Sequence, residues 1–170
     1  MRRTNKQTCS NCGSLARVAR GDYKFTESGL SNVTLQDIDV IRCDECGNED
    51  PIIPNATGLM RVIAAALILK PYRLVGEEVR FLRKHAGKTL DEFGQWLKVD
   101  RATVSRWEND QQNIGEQSDQ LIRLVAVELG DDVLRKQIHA TLQQLLKTSD
   151  KTQKVPIRID ATNMSYAYAA

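Results

Sequence analysis

Two short cysteine knuckles constrain this chain more than any other feature. Cys9-Ser-Asn-Cys12-Gly13 and Cys43-Asp-Glu-Cys46-Gly47 repeat one pattern. Two intervening residues let both thiolates of a pair reach the same ion. The glycine permits the tight turn and directs backbone amides at sulfur. Four thiolates complete a tetrahedral site with no open position, which makes it structural rather than catalytic. One structural zinc ion on Cys9, Cys12, Cys43 and Cys46 is therefore expected. A redox dithiol, two disulfides, or a rubredoxin-like iron centre for electron transfer remain alternatives at this stage. A β-hairpin can fill the long interval between the knuckles.

The chain has 170 residues, enough for one domain or two small ones. Its net charge is only +2, so overall charge does not argue for nucleic acid. The distribution is uneven: residues 1–24 carry six basic side chains against one acidic, and residues 25–50 seven acidic against one basic. The longest apolar run, Val62–Leu69, is far short of the ~20 residues that span a membrane. The N-terminus has no apolar core, so no signal peptide is expected. A cytoplasmic protein without membrane contact follows, at the nucleoid when on DNA. In that reducing compartment, paired cysteines point to metal before disulfide.

Four regions are expected: a zinc-binding four-cysteine domain at 1–50, a linker with a short apolar helix at 51–76, a helical domain at 77–147, and a polar tail at 148–170. Ser14–Phe25 and Ser31–Arg42 read as strands. Val33, Leu35, Ile38 and Val40 alternate with polar residues, with one break near Gln36–Asp37, a bulge or a turn. Gly21 and Gly29 punctuate the connections. Leu59–Leu69 is a helix buried between domains or in a dimer, stopped by Pro71.

Helix punctuation dominates the third region. Glu77–Lys84 is a helix ending before Gly87. Thr89-Leu-Asp-Glu92 is a capping box opening a helix to Leu97. Asp100 caps a second short helix, Arg101–Glu108. Leu90, Phe93, Leu97, Val104 and Trp107 are expected inside. Gly94 sits where the two helices approach closely. Lys98 stands where such a turn calls for positive φ, at some cost to a lysine. Gln117–Leu129 should bury Leu121, Leu124 and Val125, and Asp131–Leu146 should bury Val133, Ile138, Leu142 and Leu145.

Two capped short helices with a tight turn are helix-turn-helix patterning. The second helix would enter the major groove, with Arg101, Ala102, Thr103 and Arg106 reading base edges. Thr89, Ser105, Asn109, Gln111 and Gln112 would serve phosphates. No phosphate loop or nucleophile motif is present. His85, near a helix end, reads as a solvated or dipole-stabilising residue. No enzyme is expected.

Arg101–Asn109, R-A-T-V-S-R-W-E-N, resembles the recognition helix of Xre-type, lambda-repressor-like DNA-binding domains. Together with the two C-x-x-C-G knuckles it resembles the MqsA-type antitoxin family, over residues 9–147. The resemblance implies an α+β protein. A small β-rich zinc-binding N-terminal domain would precede an all-α, lambda-repressor-like helix-turn-helix domain. It implies a homodimer that represses its own operon by binding a palindromic double-stranded DNA operator. Some family members also neutralise a toxin protein through the zinc domain. By position, the four cysteines are the metal ligands and Arg106 a base-reading arginine. Ala102 departs from the asparagine of the family's namesake, so the operator should differ. The alternative function is a zinc-domain protein-interaction module, or an electron carrier, without specific DNA readout. The ending Tyr166-Ala-Tyr-Ala-Ala170 resembles an alanine-rich tag recognised by bacterial unfolding proteases; a disordered end or an edge strand is the other reading. Val155–Ile159 has strand character and could dock.

Overall fold

The computed structural model describes residues 6–139 and 149–168. Its fold is mixed, with a six-stranded sheet, a two-stranded ribbon and six helices among the described residues. Strand β1 (Lys6–Thr8) pairs with β2 (Leu15–Lys24), and β2 with β3 (Val33–Arg42), all antiparallel. The far edge of β3 is shared: its end pairs with β4 (Glu49–Pro51).

The break foreseen in β3 is a bulge. Gly21 faces Ile38 but Tyr23 faces Leu35, so β3 carries an extra residue there. Asp37 takes it up with φ of 48°. The bulge returns Ile38 and Val40 to the face that already buries Val33 and Leu35. Gly21 lies inside β2 rather than at a connection. Gly29 does turn the chain, with φ of 79°.

Helix α1 (Ala56–Leu69) starts three residues before the expected Leu59. The reason is local: Asn55 Oδ1 accepts from the Gly58 amide at 2.8 Å, satisfying an otherwise orphaned donor. Nine of its residues are buried. It lies between the sheet and the remaining helices, which explains its nearly all-round apolar character. A two-residue strand, β5 (Tyr72–Arg73), follows Pro71.

Next come α2 (Gly76–His85), α3 (Leu90–Leu97), α4 (Arg101–Glu108), α5 (Glu116–Leu129) and α6 (Asp132–His139). Val79, Phe81, Leu82, Phe93, Leu97, Val104 and Trp107 are buried, and Leu90 packs half-buried against them. The expected phase of α5 is corrected. Leu121 and Leu124 are exposed, and the helix buries Ile122, Val125, Ala126 and Val127. A buried arginine, Arg123, rotates the inward stripe, and hydrophobic periodicity assigns such a residue to the solvent face. Val133 is likewise outward at 56% exposure, while Leu134 and Ile138 face in. Leu142 and Leu145 lie outside the described residues.

The polar tail carries structure, as the strand character of Val155–Ile159 and the edge-strand reading of the ending allowed. Strand β6 (Ser149–Thr152) pairs with β5 in parallel. Strand β7 (Ile157–Asp160) runs parallel to β3, with Val33 opposite Ile157 and Leu35 opposite Ile159. Strand β8 (Ser165–Tyr168) closes that edge of the sheet, antiparallel to β7. The sheet is thus built from both ends of the described chain, with the helices between. Tyr168 OH donates to the Ala66 carbonyl of α1 at 2.5 Å, and Asn32 Nδ2 to the Val155 carbonyl at 2.7 Å. Ala169 and Ala170 of the tag-like ending lie outside the described residues.

A buried ionic junction joins these parts. Lys70, Glu78, Asp119 and Arg123 are all 1% exposed or less. Lys70 Nζ donates to Glu78 Oε2 at 2.5 Å and to the Gln153 carbonyl at 2.9 Å. Glu78 Oε2 also accepts the Val75 amide at the start of α2, at 2.9 Å. Arg123 Nε donates to Asp119 Oδ2 at 2.9 Å. Its other nitrogens donate to the Ile68 and Lys70 carbonyls, each at 2.7 Å, and to Tyr72 at 2.6 Å. The guanidinium therefore caps the end of α1, where backbone carbonyls have no helical partner. Burial pushes the Lys70 ammonium down and the Glu78 carboxyl up, each opposed by the other's charge.

Candidate metal centre and candidate nucleic-acid interface

The four cysteines converge. Cys9 Sγ is 3.6 Å from Cys46 Sγ, and Cys12 Sγ is 3.5 Å from Cys43 Sγ. All four ligand atoms lie within 4.8 Å of one another, and no disulfide joins them. Zinc–sulfur bonds of ~2.3 Å in a tetrahedron place sulfurs about 3.8 Å apart, so the donor set fits one thiolate-bound ion.

The knuckles form as the sequence requires. The Gly13 amide donates to the Cys9 carbonyl at 3.1 Å, and Gly47 to Cys43 at 3.0 Å. Both glycines are left-handed, with φ of 76° and 71°. No atom would obstruct a Cβ at either, so backbone conformation alone selects glycine. Cys9 and Cys43 are buried, and Cys12 and Cys46 exposed.

Hydrogen bonds divide the thiols. The Ser14 side chain and amide lower Cys12 to about 6, while backbone amides of Cys12 and Asn11 lower Cys9. The Cys46 amide pulls Cys43 down, but burial and the Cys12 and Cys46 thiols carry it up to about 11. Metal binding would replace these protons, because thiolate is the ligand.

A polar triangle joins the knuckles independently of sulfur. Ser10 Oγ donates to Asp50 Oδ2 at 2.6 Å, and Asn48 Nδ2 donates to the same oxygen at 2.8 Å. Asn48 Nδ2 also lies 3.2 Å from Ser10 Oγ. Sequence reasoning passed over all three residues. Ser10 and Asn48 each adjoin a knuckle residue, which was the only signal available.

The second constellation lies on α3 and α4. Thr89 Oγ1 accepts the Glu92 amide at 3.2 Å, and Glu92 Oε2 accepts the Thr89 amide at 2.8 Å. Asp100 Oδ1 accepts the Thr103 amide at 2.6 Å. Between the helices, Lys98 adopts φ of 57°, the conformation expected there. A Cβ on Gly94 would come within 2.7 Å of the Val99 carbonyl oxygen, so the close approach of the turn excludes any side chain.

Arg101, Ala102 and Arg106 are exposed on α4, and Thr103 half-exposed, with Val104 and Trp107 turned inward. Arg106 Nη2 donates to Thr103 Oγ1 at 3.2 Å. Arg101 Nη1 is 3.8 Å from Asp91 Oδ2 on α3, an exposed pair the sequence did not suggest. Thr89, Gln111 and Gln112 are exposed and Ser105 half-exposed. Asn109 is also exposed but engaged: its Nδ2 donates to the Ser105 carbonyl and its Oδ1 accepts from Arg80 Nη2.

Behind this face, Arg83 forks onto the buried Glu108 carboxylate at 2.6 and 3.0 Å, fixing α4 against α2. His85 lies in the last turn of α2, as expected, but is half-buried and stacked on Phe81 at 5.9 Å rather than solvated. Burial lowers its pKa.

No helix among the described residues is long and apolar enough to cross a membrane. No protein-family model, curated protein or solved structure matches this chain.

Proposed function

We propose that this protein is a sequence-specific DNA-binding repressor whose β-rich end is stapled by one structural zinc ion. The observation that carries the DNA reading is the outer face of α4. Arg101, Ala102, Thr103 and Arg106 share that face, while Val104, Trp107 and Glu108 hold the helix from behind. Two short capped helices across a three-residue turn are the elements of a helix-turn-helix, whose second helix lies in the major groove. Arg106, braced by Thr103, would present its fork to a guanine, and Arg101 to a second base. As a homodimer the protein would read half-sites ~34–36 Å apart.

The MqsA-type resemblance supports autoregulation and leaves a toxin partner as a narrower proposal. For the metal, four thiolates at tetrahedral spacing support zinc. Metal analysis of the purified protein should return one zinc per chain and a colourless solution. Visible absorbance would indicate iron instead.

Fluorescence anisotropy with DNA from upstream of the protein's own gene tests the DNA reading. A scrambled duplex is the control, at two salt concentrations. Arg106→Ala and Arg101→Ala should each weaken specific binding by about 5- to 150-fold, the equivalent of roughly 1–3 kcal/mol per bidentate contact. Equal binding to both duplexes, or indifference to both substitutions, would overturn the proposal and favour a protein-interaction module.

A further inference from the structure

We infer that Asp50 is a positioning residue for the metal: its carboxylate ties the two cysteine knuckles together and sets the spacing of the thiolate pairs. This rests on reading the four-cysteine cluster as a metal site.

Both close sulfur contacts run between knuckles, across 37 and 31 residues of chain. The β2–β3 ladder, with Arg17 opposite Arg42, brings the two loops to the same end of the sheet, and a finer contact must set their spacing before an ion can bridge them. Burial supplies little: among the described residues the small cluster at this end is Cys9, Ala16 and Cys43, with Ile41 half-buried against them. The Arg17–Asp44 pair is solvent-exposed on both sides and screened accordingly. The Asp50 triangle is exposed at Ser10 and half-buried at Asn48, and differs from that pair in gathering both loops on one oxygen. One carboxylate oxygen receives Ser10 from inside the first knuckle and Asn48 from just beyond the second. The Asn48 carbonyl in turn accepts the Cys43 amide at 2.9 Å, which fixes the Cys43 end of the second knuckle. Asp50 itself is placed by the sheet, opposite Ile41. The path from rigid strand to sulfur is therefore continuous, and it crosses from one knuckle to the other.

Charge argues that Asp50 acts as an acceptor, not as an anion. A divalent ion with four thiolates is already doubly negative, and another carboxylate beside it repels. The two hydrogen bonds that its oxygen accepts offset that repulsion. Asparagine keeps a carbonyl acceptor and removes the charge; alanine removes both.

The test uses the full chain and Zn²⁺ in competition with a chelator of known affinity. Co²⁺ serves as a spectroscopic reporter of tetrahedral thiolate geometry. Outer-shell partners typically govern metal affinity by about 10- to 100-fold. Asp50→Ala should weaken Zn²⁺ by at least about 10-fold and perturb the Co²⁺ spectrum. Asp50→Asn should stay within about threefold of the parent. Ser10→Ala should show part of the Asp50→Ala loss, and Glu49→Ala, which removes a neighbouring charge outside both the knuckles and the triangle, none. The thermal midpoint of the metal-free protein should not move, because the triangle acts on spacing and not on the main core. An Asp50→Ala protein that binds like the parent would overturn the inference. So would equal losses in Asp50→Ala and Asp50→Asn, or losses that track metal-free stability. A parent protein that takes up no metal would instead overturn the metal reading beneath it.

Discussion

The two ends of this molecule are held together by opposite means. At the knuckle end little apolar surface is buried among the described residues, and the two loops meet through sulfur and a polar seam. In the helical region, α1 to α6 share one continuous apolar core with β3 and β7. The contrast teaches where each kind of force suffices. Short loops bury too little surface to offset the entropy of ordering them, and the proposed ion would contribute the missing free energy. Helices with a wide apolar stripe need no such help. Between the two ends sits a third solution, the fully buried charges of Lys70, Glu78, Asp119 and Arg123.

Removing the proposed metal should test that contrast most severely. Structural zinc contributes on the order of 10 kcal/mol in small metal-dependent folds. Chelation, or Cys43→Ser, should abolish amide-exchange protection at residues 9–17 and 41–50 and leave α2 to α5 protected. Loss of protection throughout would break the comparison.

The ionic junction comes next. Lys70→Met leaves Glu78 buried without its counter-charge and should cost about 3–5 kcal/mol. The double variant Lys70→Met/Glu78→Leu should recover most of that loss, because hydrophobic replacement of a buried pair is often neutral. Denaturant unfolding of the three proteins decides it. A double variant as unstable as the single would mean that the hydrogen bonds to Gln153 and Val75, not charge balance, hold the junction.

Smaller effects sharpen the picture of the α3–α4 turn. Gly94→Ala should cost about 1–3 kcal/mol, since the new methyl meets the Val99 oxygen. Lys98→Gly should stabilise by up to about 1 kcal/mol by relieving a left-handed lysine. Thermal midpoints of both variants check these signs.

The smallest effect is on the helix caps. Hydrogen bonds from Thr89 hold Glu92 below its ordinary value, and those from Thr103 hold Asp100 below its own. A depressed carboxylate contributes stability that is complete above its unfolded pKa and is lost as pH falls through the lowered folded value. NMR titration should therefore place both midpoints below those of ordinary carboxylates. Midpoints at the ordinary values would mean the caps are not formed in solution.

Much of this was legible in the residues because the controlling interactions are local. The knuckle glycines, the Thr89 capping box, the Asp100 cap, the bulge at Gln36–Asp37 and the strained Lys98 each depend on neighbours within a few positions. Arg123 was not legible. A charged side chain within an amphipathic helix ordinarily marks the solvent face, so Leu121 and Leu124 were placed inward in its stead. Only the orphaned carbonyls at the end of α1, more than fifty residues away, explain why a guanidinium lies there.

The sequence by itself determined the cysteine quartet, the boundaries and caps of α3 and α4, and the exposed arginines of α4. Spacing along the chain specifies all of these. Tertiary structure alone decided that β7 and β8 complete the sheet begun by β2 and β3. It also decided that α1 lies between sheet and helices, and that four charges are buried where they meet. Such choices depend on which surfaces remain uncovered once the local elements have formed. A parallel strand pairing across more than a hundred residues is chosen by that remaining edge and apolar face, not by any neighbour in sequence.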